Sequence, residues 1–513
     1  MGRIALGYDT WDGSYDNQIA GGPDIGGYEY KTASGGLLFA PGGNFQAYLW
    51  GYYSDDAIDP SATSEVLANC ENRNLVDPMQ STKFLNFCGE LPRINRNSLS
   101  AIPNATGERR DVQRIHLELK WDLAGGTLTS LSSYSNVEQT FLIDGTRGTG
   151  FVTYAYAAMA ATPTAFRPIR TFRATQLQTG FPDTTEEVAQ ELRFTSAEDR
   201  AFRWSGGLYF YDNRAQGGSD GVIAQPALPA DFGSFCPCVT ISPTLGFPTP
   251  GASDGANASF LPWFNDPNGG GFPLAIRSDT RGWSVFGTVD YDFTDALTLR
   301  AEARWTDEKK EPSAFLIGGV PSRSAEESWA LPSWRVNLRY KPVPNWTLYA
   351  SVADAPKSGD FATGTVRFAA NPTVQVPVFR PYDSEEILAY EIGAKAELFG
   401  GRVRTEFDVF WYDWKDQVIP NIVEEVDGRP ITIPTAFETN AGDSTVKGAE
   451  FSVEGKITES LRANAGIALI DATYDEASLT TFQLFPSFAP SGAVNGKQVL
   501  RQSRTQYNVG FGY

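Results

Sequence analysis

Histidine is almost missing from this chain: His116 is the only one in 513 residues. A catalytic triad or an imidazole-ligated metal site would have to be built on that single ring. Its neighbours Arg114 and Glu118 supply no nucleophile motif, so hydrolases of the Ser/His type drop out. Long apolar runs are missing as well. No stretch of about 18 apolar residues occurs, and mean hydropathy is −0.28, which excludes a helical membrane protein. Basic excess is missing: the net charge is −19, which argues against nucleic acid as a partner, because phosphate backbones need a basic surface. No Pro/Ser linker or charge block divides the chain, so a single large architecture is expected where length alone would suggest several domains. Cysteine is scarce at four residues. Cys70 and Cys88 flank one polar stretch, and Cys236 and Cys238 sit in FCPCVT. An even count in loops suits an oxidising compartment. A Cys70–Cys88 disulfide is expected, whereas Cys236-Pro-Cys238 would close a small, strained ring. Whether those two pair is left undetermined. The spacings do not fit a four-ligand zinc site, and no residue set calls for a cofactor.

What the chain has in abundance is alternation. From Trp283, the residues Val285, Gly287, Val289 and Tyr291 fall on one face, and Ser284, Phe286, Thr288 and Asp290 on the other. After a turn, Leu297, Leu299, Ala301, Ala303 and Trp305 oppose Thr298, Arg300, Glu302 and Arg304. Period two predicts strands with one apolar and one polar side, and each run of about nine residues suffices for a tilted strand to cross a bilayer. The pattern recurs. Ile115, Leu117, Leu119 and Trp121 alternate with Arg114, His116, Glu118 and Lys120; Trp334, Val336, Leu338 and Tyr340 alternate with Arg335, Asn337, Arg339 and Lys341. Short turns at Ala40-Pro41-Gly42-Gly43, Ala124-Gly125-Gly126, Ala197–Arg200, Pro342–Asn345, Gly400-Gly401 and Thr458–Ser460 interleave with long loops that fall at the opposite strand ends. Short connections on one side and long ones on the other are the asymmetry of outer-membrane barrels, with periplasmic turns and extracellular loops.

The composition of the two faces points the same way. Rows of Arg, Glu, Lys, Asp and Asn cannot be the core of a small soluble barrel, since burying so many charges is prohibitive. The charged rows must face water, so the apolar rows face lipid, and the lumen is wide and aqueous. The fold class expected is all-β: a large antiparallel transmembrane β-barrel with about sixteen strands in this chain.

Four runs carry a family resemblance. Val188 to Asp212 (VAQELRFTSAEDRAFRWSGGLYFYD) resembles the mid-barrel hairpin of TonB-dependent outer-membrane receptors. Trp346 to Gly364 (WTLYASVADAPKSGDFATG) is similar to a strand and loop start of that family, departing at Ala355-Pro356, where Gly and an aromatic are usual. Glu385 to Val418 and Asn440 to Glu476 resemble two further hairpins of the family. The resemblance implies a plugged barrel that actively imports a scarce, bulky ligand of the ferric siderophore, cobalamin or saccharide class. It implies outer-membrane lipid as surroundings and the TonB complex as partner, reached through an N-terminal segment. Such receptors carry an N-terminal plug. MGRIALGYDTW opens directly in a strand and TQYNVGFGY closes in one, so residues 1–513 are expected to be a partial barrel domain without the plug and the last strands. A passive porin, and a soluble glycan-binding β protein, are the alternatives.

No catalytic residues are expected. The carboxylate pairs Glu186-Glu187, Glu385-Glu386 and Glu406/Asp408 read as solvated wall charges, not as an acid/base pair set apart in a cleft. Trp204, Trp283, Trp305, Trp334, Trp346, Trp411 and Trp414 read as an interfacial girdle. Ligand contacts are expected in the long loops and upper lumen. Trp263, Phe264 and Phe272 in FLPWFNDPNGGGFP, and Phe379 and Tyr382 in the next long loop, are the first candidates.

Overall fold

The computed structural model describes residues 1–62, 89–91, 93, 95–97, 99–101, 107–144, 152–157, 169–174, 177–180, 183–217, 219–222, 240–241, 248–249, 274–316, 321–477, 495–499 and 502–513. Among them there is no helix. The strands are β1 (Gly2–Trp11), β2 (Tyr28–Phe39), β3 (Phe45–Ile58), β4 (Gly107–Leu123), β5 (Gly126–Asp144), β6 (Val152–Ala157), β7 (Ile169–Ala174), β8 (Leu177–Gly180), β9 (Asp183–Ser196), β10 (Phe202–Gly217), β11 (Ser219–Val222), β12 (Thr240–Ile241) and β13 (Pro248–Thr249). They continue with β14 (Leu274–Thr294), β15 (Leu297–Leu316), β16 (Pro321–Ser324), β17 (Glu327–Tyr340), β18 (Trp346–Lys357), β19 (Asp360–Phe368), β20 (Asn371–Tyr382), β21 (Glu385–Leu398), β22 (Val403–Val426), β23 (Arg429–Lys456), β24 (Arg462–Ala477) and β25 (Thr505–Gly512).

The wall is one antiparallel sheet in which each strand pairs with its successor. It runs β1-β2-β3-β4-β5-β9-β10-β14-β15-β17-β18-β21-β22-β23-β24-β25, the expected sixteen. Among the described residues no ladder joins β25 to β1. Sequential antiparallel pairing through tight turns is the barrel topology that alternation and turn residues dictate. The β21–β22 turn uses Phe399, Gly400 and Gly401 at φ of 53°, 67° and 81°, the left-handed backbone that glycine adopts without a Cβ penalty.

Register fixes the faces. Leu208 stands opposite Val285, Val285 opposite Trp305, Ala301 opposite Val336, Leu338 opposite Ala350, Ile392 opposite Val409 and Phe407 opposite Phe451. Directly opposed residues share a face, so one apolar surface sweeps across the wall. Its members stay exposed: Ile115 is 52%, Val336 40%, Phe407 48% and Ile392 58% accessible. A soluble sandwich would have buried that surface. Trp204, Trp283, Trp305, Trp334, Trp346 and Trp411 lie on it and are exposed, as a girdle requires. Trp414 departs from the expectation: it turns to the charged face and donates its indole N–H to Glu385 at 2.8 Å.

The opposite face carries ion pairs and aromatics. Glu302 bridges Arg300 at 2.7 Å and Arg335 at 2.5 Å, and the Arg304 guanidinium sits 5.3 Å from the Tyr209 ring centre. Aromatic rings there lie over glycines on the neighbouring strand. A Cβ at Gly207 would come within 2.6 Å of the Phe286 ring, and one at Gly393 within 2.5 Å of the Tyr349 ring. These pairs sit directly opposite in register and pin it. His116 takes its place in this row, half-buried and opposite Trp50 and Ser133.

Several strands outrun the bilayer. β14 has 21 residues, β22 has 24 and β23 has 28, against the roughly ten that a crossing needs. Segments read from sequence as loops are therefore partly strand: β10 continues to Gly217, and β14 begins at Leu274.

Candidate ligand entrance at the barrel mouth

The long strand ends converge on a hairpin. Between β18 and β21, residues expected to be loop form β19 and β20, paired from Asp360–Tyr382 inward to Phe368–Asn371. One face of this hairpin places Phe361 and Phe379 against Ala314, Trp329 and Leu331 of β15 and β17, with Ile276 of β14 behind. The other face places Ala362, Val366 and Val378 against Phe437, Val426 and Ile431 of β22 and β23. Trp329 and Leu331 share the parity of Arg335 and Asn337, so the hairpin rests on the charged-row side of β17.

A bulge aims the far wall. Between Trp414 and Val418 the β22–β23 register shifts, and Asp416 takes φ of 54°. A bulge re-aims the side chains beyond it. Ile419 then packs with Tyr474, which stands opposite Ser444, on the side of Gly448 and Glu450. The hairpin thus touches the same face of strands on both flanks. A segment can do that only from the concave side of a curved sheet, so the charged rows line the interior, as the composition requires.

The hairpin is tied at its base. Lys310 donates from Nζ to Gly359 O at 2.7 Å and Asp360 Oδ2 at 3.0 Å, and lies 5.6 Å from the Trp329 ring centre. Glu385 is 3% exposed and accepts from Lys357 at 2.7 Å and Trp414 at 2.8 Å. It is a buried, fully partnered brace, which corrects the expectation of a solvated wall charge. Further out, Arg323 of β16 pairs with Asp427 at the β22–β23 tip at 3.2 Å, and Arg429 stacks on Phe368 at 3.9 Å. Together these contacts build a braced platform at one end of the lumen.

Of the expected ligand residues, Phe379 and Tyr382 fall on this platform. Phe379 is 5% exposed and held in the hairpin core, so in this state it supports the entrance without facing it. Tyr382 is half-buried; burial, then the charges of Asp360, Glu438 and Glu385, push its hydroxyl up to about 12. Trp263, Phe264, Phe272 and all four cysteines lie outside the described residues. Sequence reasoning passed over Lys310, Trp329, Arg380 and Phe437. Arg380 sits opposite Ala362 on β20, and its Nη1 is buried without a hydrogen-bond partner among the described residues.

The family model described as "TonB dependent receptor-like, beta-barrel" matches residues 5–513. The chain belongs to the TonB-dependent receptors, in their β-barrel part. A curated relative, the probable TonB-dependent siderophore receptor PiuA of Acinetobacter baumannii, is 22% identical over 191 residues, which is 37% of this chain and 23% of that protein. Among solved structures, the siderophore receptor PiuA from Acinetobacter baumannii aligns at a TM-score of 0.61 and 14% identity, over 99% of this chain and 65% of that one. The ferric yersiniabactin uptake receptor FyuA from Yersinia pestis aligns at 0.59 and 14% identity, over 99% of this chain and 60% of that one. These likenesses establish the fold of the receptor barrel, and the chain spans less than two thirds of each of these solved receptors. The family and these neighbours are outer-membrane β-barrels of Gram-negative bacteria.

Proposed function

We propose that this receptor barrel lies in the outer membrane and forms the wall and entrance of a transporter that imports a ferric siderophore with energy delivered through TonB. The observation that carries the reading is the braced hairpin platform seated against the charged interior rows. A receptor needs rigid elements at its binding face, and the hairpin core supplies them. Membership of the family and the siderophore receptors among its relatives support the ligand class.

On this reading residues 1–513 are the barrel domain, and TonB is reached through a plug-bearing segment supplied by the whole receptor. Tyr382, half-buried on the platform, is the candidate polar contact. No catalytic step is part of the proposal.

The test is uptake of radiolabelled iron by cells grown on single ferric siderophores, with the gene intact, deleted, or intact in a strain lacking TonB. Uptake that needs both the gene and TonB supports the reading. TonB-independent diffusion of small solutes, with single-channel conductance in planar bilayers, would identify a porin instead.

A further inference from the structure

Between its aromatic rows the lipid-facing surface is built of aliphatic and aromatic residues, glycine and alanine. Among the described residues two departures occur. One is Thr405, whose hydroxyl donates to Ser452 O at 3.0 Å. The other is a cluster at the β5–β9 seam. Ser130 and Ser132 lie between Leu128 and Tyr134 on β5, and Gln190 lies between Val188 and Leu192 on β9. Register fixes their side. Ser132 stands opposite Leu117 and Gln190, Ser130 opposite Leu119 and Leu192, and Gln190 opposite Phe210.

The cluster is hydrogen-bonded within itself. Gln190 donates from Nε2 to Ser130 Oγ at 3.0 Å and to Glu191 O at 2.9 Å, and its Oε1 accepts the Ser132 hydroxyl. By donor and acceptor inventory this leaves the Ser130 O–H as a donor and lone pairs on all three side-chain oxygens as acceptors. Acyl chains offer these groups nothing, and polar capacity left unused in hydrocarbon is costly. Contacts between proteins inside membranes use this composition: small residues that let backbones close in, with hydroxyls and amides that bond across.

The relief matches. The two serines are short side chains set between Leu117 and Leu119 on one flank and Leu192, Leu208 and Phe210 on the other. The rim stays exposed, with Leu192 at 43%, Leu208 at 56% and Phe210 at 46%. Two convex walls meeting here can approach closely at the serines while the bulkier rims reach across.

Symmetry names the occupant. All copies enter the membrane in one direction, so a two-fold axis relating two of them runs along the membrane normal. That axis carries each residue to a partner residue at its own depth. A second copy therefore meets the cluster with the same cluster, which holds both a donor and acceptors. Lipid has neither at that depth, and a different barrel would need a polar spot at the matching height. Strands β4, β5, β9 and β10, about 4.8 Å apart across a band about 25 Å tall, offer about 500 Å² per copy. Two copies then reach the roughly 1,000 Å² total that a specific pair needs.

We propose that the β5–β9 seam is the contact face of a homodimer in the outer membrane, with Ser130, Ser132 and Gln190 around the two-fold axis. The pairing rests on the lipid-face assignment and is independent of what the receptor imports.

The test uses the full-length receptor in its own outer membrane. Ser132→Cys, treated with a short bismaleimide, should give a species of twice the monomer mass. Its yield should be at least tenfold above that of wild type, which keeps the native cysteines, and of Ala350→Cys on the lipid face of β18. A second readout counts copies by single-molecule photobleaching of labelled receptor in liposomes over a range of protein-to-lipid ratios. S130A/S132A/Q190L keeps the relief and removes the polar groups, so it should need at least tenfold more protein per lipid to pair. Heat-modifiable electrophoretic migration checks that each variant is folded. Equal yields from Ser132→Cys and Ala350→Cys, cross-links only to a different protein, or unchanged pairing in S130A/S132A/Q190L would each overturn the proposal. Neither readout uses a ligand. Absent iron uptake in wild type would remove the transport reading alone, and absent pairing would remove this one alone.

Discussion

Lys310 illustrates how much one nitrogen can hold. Its side chain is 12% exposed, it donates to Gly359 O and Asp360, and it pairs with Glu308 at 3.5 Å. A hydrogen bond to a charged group contributes about 1.5–3 kcal/mol, or roughly ten- to a hundredfold in a local opening equilibrium. Lys310→Met should therefore speed external protease cleavage within residues 360–382 by at least tenfold while the barrel stays resistant. Limited proteolysis on whole cells reads this directly. Tyr382 adds a pH dependence. Its proton is held more tightly in the folded state than at the ordinary value of 10.0, chiefly by burial and then by Asp360, Glu438 and Glu385. A raised folded value means that its stabilisation is complete below pH 10 and is lost as pH rises toward about 12. Protection of the hairpin against protease should fall across that window in wild type, and Tyr382→Phe should flatten the fall.

Among the elements, the wall strands were legible and the hairpin was not, for physical reasons. A strand in the bilayer has one dry and one wet face, so its sequence alternates. Above the bilayer both faces of β14, β22 and β23 meet water or protein, and the alternation fades. β20 hides further behind Pro372, Pro377 and Pro381. Proline removes a ladder donor and argues against a strand in sequence, yet β20 tolerates it because its partners are side chains of two walls more than a second ladder. The inward turn of Trp414 and the burial of Glu385 were equally hidden, because a bulge at Asp416 depends on pairing that no local pattern announces. Replacing residues 360–382 with a short Gly/Ser turn should leave a folded, heat-modifiable barrel and weaken siderophore binding at least tenfold in an equilibrium titration. Gly207→Val should drive a methyl into the Phe286 ring and cost about 1–3 kcal/mol, seen as a lower urea midpoint in micelles.

Considered as a whole molecule, the barrel is inverted relative to a globular protein: its polar rows are internal and its oily rows external. That inversion is testable by a matched pair of substitutions. Val336 lies between Trp334 and Tyr340 on the lipid face, so Val336→Arg should cost about 2–4 kcal/mol. Ser351, one strand away, faces Glu391 across the interior row, and Ser351→Arg should change stability by no more than about 0.5 kcal/mol. Equal costs at the two positions would contradict the face assignment. Unfolding titrations in the same detergent compare them.

The paired arms of β22 and β23 end in Asp427-Gly428, where φ is 52° and 67°. With about ten residues of β22 used in crossing the bilayer, the remainder rises roughly 30–40 Å beyond it. A mast of that height clears the lipid and much of the sugar coat around it. Antibodies and phage approaching an intact cell would meet this tip first, so immune or viral pressure would fall there. An epitope inserted after Gly428 should stain unpermeabilised cells, and antibody bound there should leave small siderophores free to enter.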